Sequence, residues 1–461
     1  MEHGASERAQ KRWIRRRLAG ALAGSSTVAL AACGVFGAPA GRSETAPATT
    51  CRSRLEFFTP FAAATVQYQG FQQVAEAFAR GRPGCAVEQV PVAGGADAVA
   101  EKLATTLAGG APPALTVLPP ANVTTWSAKG LIAPVDDLFK RDRLNSTDFP
   151  APLWKQMSYQ GKVWFMPLFV NPDFVLHWNK KHFQEAGLDA EKGPETIAEL
   201  DRMIQLLTRE QAGELVQVGM QTWDLFGHAN TIQTWGYAFG GSFYDEAKDE
   251  LTFTHPRVQR GTEWYTGWAH RLGVERVMRL RQAAALPGGV HFFASSRFSI
   301  HMLSPPTLRA VQQYDPAIQI GAGPMPAEAP GKPGAVALGG QNVGAVPGPK
   351  REEAWEFMKF IGASEEGTSI IARQTGIPGW LRSPGLAELA KDPLQKAYVD
   401  GVRRAQYVQL GFFAPVAINY QPLQEVIDGK RGVRDALETI NRQANQAIKE
   451  LKAQLGAGRS R

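Results

Sequence analysis

The hydrophobic pattern changes period several times along the chain, and each change marks an element. Leu55–Phe58, Val87–Val90 and Ala114–Leu118 are short apolar runs. The last is continuous, the pattern of a strand covered on both faces. Between the first two, Phe71, Val74, Ala75 and Phe78 recur at helical spacing across Gln67–Arg80, and Pro83-Gly84 stops the run. A second helix is expected from the Ala93–Asp97 turn to Gly109-Gly110. Strand, helix, strand, helix, strand predicts an α/β fold with a buried sheet.

The stretch Gly161–Asp189 reads as a passage from one sheet to another. Gly161 supplies a tight turn. Val163, Trp164 and Phe165 read as a strand that Pro167 ends, and Phe174–Trp178 as a second strand. Asn171-Pro172-Asp173 forms a stiff polar linker between them. Asn179 caps a short helix that Gly187 terminates, with Leu188 as the apolar residue just past it.

Downstream, Thr196 and Glu199 make a capping box ahead of a helix whose buried face is Ile197, Leu200, Ile204 and Leu207. Met220–Tyr244 is dense in aromatics, Trp223 and Trp235 among them. Aromatics at such density are mostly core. An indole on a cleft wall would instead stack on the C–H face of a sugar ring, so either Trp is also a candidate contact. Trp355, Met358 and Ile361 mark a further helix. Val433, Leu437, Ile440, Ala444 and Leu451 mark the buried face of a C-terminal one.

Charge and cysteines place the chain in the cell. Of the formal net charge of +7, residues 1–32 supply +4 through Arg8, Lys11, Arg12, Arg15, Arg16 and Arg17 against Glu2 and Glu7. The remaining +3 is modest, and no basic run interleaved with aromatics occurs, so nucleic acid is not an expected partner. The basic start, the Ala/Gly-rich stretch Leu18–Ala32 and Leu30-Ala31-Ala32-Cys33 read as a signal peptide (1–32) with a lipobox, which makes Cys33 a lipid-bearing residue. Residues 33–54 then form a flexible tether rich in Ala, Pro, Gly, Ser and Thr. Cys51 and Cys85 each precede a strand, so parallel neighbouring strands would bring them together. An exported protein favours their disulfide, with two free thiols as the alternative.

Taken together, GKVWFMP … LHWNKKHFQEAGLD, GGAPPALTVL, PMP, VALGGQNVGAV and RQTGIPGWLRS resemble, in that order, segments of the extracellular solute-binding proteins of ATP-binding-cassette importers. Members that bind sugars and glycerol phosphates are the most similar group. The resemblance spans about Leu55 to Leu451. It implies a two-lobed type 2 periplasmic binding protein fold, with lobe 1 at 55–169 and 325–373, lobe 2 at 170–324 and 374–461, and a ligand cleft between. It also implies a monomer, no cofactor, and a permease pair as protein partner.

That resemblance assigns candidate contacts. Asn171 and Asp173 lie on the first crossing. Gly340, Gln341 and Asn342 lie in the Gly-Gly strand, and Tyr420 on the C-terminal segment. Ala96 or Asp97 falls where the family carries a Glu, and Asp97 is the candidate acceptor there, one carbon shorter. The glycerol-phosphate members hold phosphate with a Tyr and an Arg. Here Ile377 takes the first position and Pro415–Tyr420 (PVAINY) covers the second without an Arg, which favours a neutral sugar or polyol. A lipid-anchored hydrolase and a receptor serving a sensor are the competing readings. No G-x-S-x-G, H-E-x-x-H, P-loop or C-x-x-C occurs, and His177 and His182 are mis-spaced for a helical metal pair. The expectation is therefore a binder without catalysis.

Overall fold

The computed structural model describes residues 51–172, 175–225, 227–329, 337–408, 410–413 and 416–458. The signal peptide, Cys33, most of the tether and Asp173 lie outside the described residues. The first half runs β1 (Arg54–Thr59), α1 (Val66–Arg80), β2 (Ala86–Pro91), α2 (Gly95–Ala108), β3 (Leu115–Leu118), then several short helices to β4 (Met166–Pro172). Next come β5 (Val175–Asn179), α3 (Ile197–Leu207), β6 (Arg209–Gln211), β7 (Glu214–Met220), α4 (His228–Ala238) and α5 (Pro256–Leu272). Then follow β8 (Phe298–Met302), α6 (Pro305–Tyr314), β9 (Ile320–Pro324) and β10 (Ala337–Ala345). Last are α7 (Arg351–Ala363), α8 (Glu365–Gln374), α9 (Pro384–Leu389), α10 (Pro393–Arg404), β11 (Tyr407–Val408), α11 (Gln421–Ile427) and α12 (Val433–Gly458).

Two sheets organise these elements. The first has the order β11–β10–β3–β1–β2, with β4 also on β10. β1 is parallel to β2 and β3, and β10 is antiparallel to β3 and β4. The second sheet has the order β9–β5–β8–β7–β6. Each sheet carries its own apolar core. The α/β expectation and the two-lobed class therefore hold: parallel strands β1, β2 and β3 alternate with helices α1 and α2, and two sheets with separate cores form.

Local signals acted as read at several places. Thr196 Oγ1 accepts from Glu199 N at 3.1 Å, and Glu199 Oε2 accepts from Thr196 N at 3.4 Å. Asn179 Oδ1 accepts from Lys181 N at 3.0 Å and His182 N at 3.3 Å. Gly187 sits at φ +70°.

Pro167 does not end its strand. β4 runs through it to Pro172, because its far side is open but for one bridge, Val170 to Ile377, and β10 bulges between Gln341 and Asn342 beside Pro167. A strand with a free edge loses no ladder bond to proline. Asn171 is consequently a strand residue, paired with Gly339, and stays with the first sheet. β4 thus pairs in the first sheet and β5 in the second, while α9 packs on α8 and β11 pairs with β10. Amphipathic helix patterns do not encode which sheet a helix will cover.

The two cores meet at the junction of β4 and β5. α10 lies against β4, β5 and β9, and Tyr398 donates its hydroxyl to Leu303 O at 2.7 Å. His177, on β5, is fully buried there. Its Nδ1 accepts from Leu303 N at 3.3 Å, and its ring lies 5.4 Å from Tyr398. His301 faces it across the strand pair and stacks on His291 at 4.7 Å. Burial pushes His177 down to about 3 and His301 well below the ordinary imidazole value.

Two predictions follow from this core. Cys51 and Cys85 form a disulfide with Cα atoms 5.4 Å apart, closing a sequence separation of 34 residues at the start of β1 and β2. In the chain-entropy model this is worth about 3–4 kcal/mol. Oxidised protein should show no alkylatable thiol at either position, and reduction should lower the unfolding midpoint. Unchanged stability after reduction would contradict the assignment. The second concerns acid. A histidine that is neutral when native and protonatable when unfolded lets the unfolded chain bind the extra proton between pH 6.5 and about 3. The stabilisation is complete above pH 6.5 and is lost as pH falls through that window. Thermal melts of His177→Gln should show a pH slope shallower than the parent by up to about 1.4 kcal/mol per unit; identical slopes would exclude His177 as a source.

Candidate functional site

In open α/β sheets ligands sit beyond the carboxyl ends of parallel strands. For the first sheet these ends are Thr59, Pro91 and Leu118, and the loops that follow open helices α1 and α2 and the turn Pro120–Asn122. The second sheet presents the start of β5 and the ends of β7 and β8. Register fixes this. Met302 lies opposite Leu176 at the start of β5, and Ile300 lies opposite Met220 at the end of β7. The two sets of ends therefore meet around the β4–β5 crossing.

On the first-sheet side, Phe61 N donates to Thr59 Oγ1 at 3.2 Å, and Thr65 caps α1. Phe61 is half-buried, its ring 5.9 Å from Phe71, which itself lies 6.4 Å from Phe169 on β4. Asp97 is exposed in the first turn of α2, behind Gly94 and Gly95 at φ +103° and +76°. Asn171 is half-buried at the end of β4.

The Gly-Gly strand divides into different roles. Gly340 has φ +126°, and a Cβ there would meet Phe169 O at 2.1 Å. Close approach of β4, rather than of a ligand, therefore requires this glycine. Asn342 is buried and donates Nδ2 to Leu118 O at 3.1 Å, so it pins β10 to the end of β3. Gln341 differs. Its Oε1 is buried and has no hydrogen-bond partner among the described residues.

The two tryptophans are core. Trp235 is fully buried. Its Nε1 donates to Thr222 O at 2.6 Å, and its ring lies 4.4 Å from Trp264. The reason is that α4 is enclosed: every residue from Thr231 to Ala238 is buried. Trp223 is 3 % exposed, too little to offer a ring face. Tyr420 packs inside the second lobe, 6.2 Å from Phe253, and burial holds its hydroxyl protonated far above the usual phenol range.

Two residues that the sequence did not single out belong to this region. Gln221, one residue past β7, is 1 % exposed. Its Nε2 donates to Trp223 O at 3.1 Å, while Oε1 has no partner among the described residues. Phe61 is the other. Its only signal was its position just after a strand. Nearby, the third connection is clamped to the second lobe. Tyr407 stacks on Tyr237 at 4.1 Å and 17°, Tyr237 donates to Val408 O at 2.9 Å, and Gln233 Oε1 accepts from Leu410 N at 2.9 Å. Among the described residues no group of three or more His, Cys, Asp or Glu is arranged to hold a metal ion, and no helix is long and apolar enough to cross a membrane.

Comparison with known proteins agrees with this architecture. CpMnBP1 bound to mannotriose is 22% identical over 85% of this chain and 100% of its own, with a TM-score of 0.68. UgpB from Mycobacterium tuberculosis in complex with glycerophosphocholine is 20% identical over 86% of this chain and 98% of its own, with a TM-score of 0.66. A cyclo/maltodextrin-binding protein complexed with maltotetraose is 19% identical over 87% and 97%, with a TM-score of 0.63. At these identities the likeness is one of fold. No curated protein sequence matches. The family described as bacterial extracellular solute-binding protein matches residues 62–368, most of the chain. With that match laid over two sheets that face each other across a strand crossing, the chain belongs to the bacterial extracellular solute-binding proteins.

Proposed function

We propose that this protein holds a neutral sugar or polyol between its lobes, performs no chemistry on it, and hands it to an ATP-binding-cassette permease. The observation that carries this reading is the pair Gln341 and Gln221. Each has a buried amide oxygen without a partner among the described residues; Gln341 lies opposite Phe169 on β4, and Gln221 is one residue past β7 of the second sheet. A buried acceptor left unpaired costs about 1–3 kcal/mol, so a site that keeps two of them is built for a hydrogen-bond donor. Sugar hydroxyls are donors, and the half-buried ring of Phe61 supplies an apolar surface for C–H groups. Asn171 at the end of β4 and the exposed Asp97 would add polar contacts from the first lobe, and Asp173 from the crossing. Several solved relatives hold saccharides, mannotriose and maltotetraose among them. Ile377 and the PVAINY segment lack the phosphate-holding side chains of the glycerol-phosphate group. A ligand that touches both lobes binds the closed form better than the open one, and that difference drives closure.

The reading also includes export and a lipid on Cys33, which would leave the two lobes free above the membrane while acyl chains anchor the tether.

Titration with manno- and malto-oligosaccharides, followed by calorimetry and small-angle scattering, tests the cleft. A bound saccharide should compact the protein. Gln341→Leu should weaken it about tenfold or more while the ligand-free melting temperature stays level or rises, since an unpaired acceptor has been removed. Parent-like affinity in Gln341→Leu and Gln221→Leu, or no compaction, would move the site elsewhere. For the anchor, mass spectrometry of membrane-purified protein should show an acylated Cys33, and Cys33→Ala should release the protein from the membrane; a variant that stays equally bound would argue against lipidation.

A further inference from the structure

A second cavity of about 620 Å³ lies outside the cleft just described. Helix α6, whose buried Leu308 and Val311 join the first core, forms one wall. α8 and α9 of the first lobe form the other, and α10, which lies across the sheet junction, forms the floor. None of Phe61, Asn171, Gln221 or Gln341 lines it.

Its charges are unevenly satisfied. Four charged side chains line it: Arg309, Arg373, Glu388 and Asp392. Glu388 accepts from Lys391 Nζ at 2.5 Å. Asp392 is the N-cap of α10 and accepts from Leu394 N at 2.8 Å and Gln395 N at 3.4 Å. Both carboxylates are therefore engaged. Neither guanidinium makes an ion pair or a hydrogen bond with any described residue. Tyr398, within the electrostatic reach of Arg309, already donates to Leu303 O at 2.7 Å. Arg309, half-buried, rises from α6, and Arg373, exposed, from the last turn of α8, so the two positive groups come from different helices.

We propose that this cavity binds a small organic oxyanion, a carboxylate or a phosphate ester, held between Arg309 and Arg373. A guanidinium matches the two oxygens of such a group with parallel N–H donors. The volume falls in the usual range of small-molecule sites and exceeds what a bare inorganic ion fills. Ser369 and Gln395 offer further hydrogen bonds, and the half-buried Leu389 an apolar surface for the body of the ligand. The site is separate from the sugar cleft, and its occupancy does not depend on which sugar the cleft accepts.

The test is a thermal-shift and calorimetric titration of the full folded protein with glycerol 3-phosphate, citrate and inorganic phosphate, at constant ionic strength against chloride. A saturable rise in melting temperature with glycerol 3-phosphate or citrate is expected, stronger than with inorganic phosphate; which of the two acts identifies phosphate ester or carboxylate. Arg309→Gln and Arg373→Gln should each weaken that binding about tenfold or more and leave the ligand-free melting temperature unchanged. Arg260→Gln, which breaks only the exposed pair with Glu328, should bind the anion like the parent. Saccharide titrations of the same arginine variants separate this site from the cleft, because their sugar affinity should be retained. No saturable response to either organic anion, or an equal response in both arginine variants and the parent, overturns the proposal.

Discussion

Strand β10 is the interaction on which the two-lobed arrangement depends. It returns from the second lobe and inserts into the first sheet with β4 on one side and β3 and β11 on the other. Three separate passages of chain between the lobes are thereby tied by main-chain hydrogen bonds to one strand. The insertion is possible only because residue 340 lacks a Cβ, which would otherwise collide with the Phe169 carbonyl. Asn342 completes the seam by reaching to the Leu118 carbonyl. Residues that invite reading as ligand contacts are thus the ones that hold the connections in register.

The same junction explains where polar groups can remain unpaired. Within the first core, β3 is buried on both faces and the neighbouring cores are closely packed with aromatic rings. In such surroundings an unpaired amide or imidazole is costly, and most buried polar side chains found partners. Gln221, one residue past β7, and Gln341, opposite Phe169 of β4, are two of the exceptions among the described residues. His177 and His301 sit deeper in the same junction and are kept neutral by it. The guanidiniums of Arg309 and Arg373 lie at its outer flank.

What the sequence determined by itself was whatever local chemistry decides. The α/β alternation followed from the periods of the apolar residues. The caps at Asn179 and Thr196, the left-handed Gly187 and the buried face of α12 followed from residues a few positions apart. The Cys51–Cys85 pairing needed one step more, the parallel alignment of β1 and β2, which the βαβ pattern supplied. Tertiary structure decided the rest. Pro167 stays within a strand because that strand has an open edge, a property of the sheet and not of the proline. Trp235 became core because α4 is enclosed from Thr231 to Ala238, and an amphipathic or aromatic pattern cannot show how many faces a helix will bury. Trp223, in the loop before α4, is buried in the same core, and the half-buried Tyr420 packs against it. Gln221 carries no sequence signal, and Gln341 was marked only by its place in the Gly-Gly strand of the resemblance. An amide is a candidate contact only when folding buries its oxygen and supplies no donor, and that depends on residues more than a hundred positions apart meeting at the crossing.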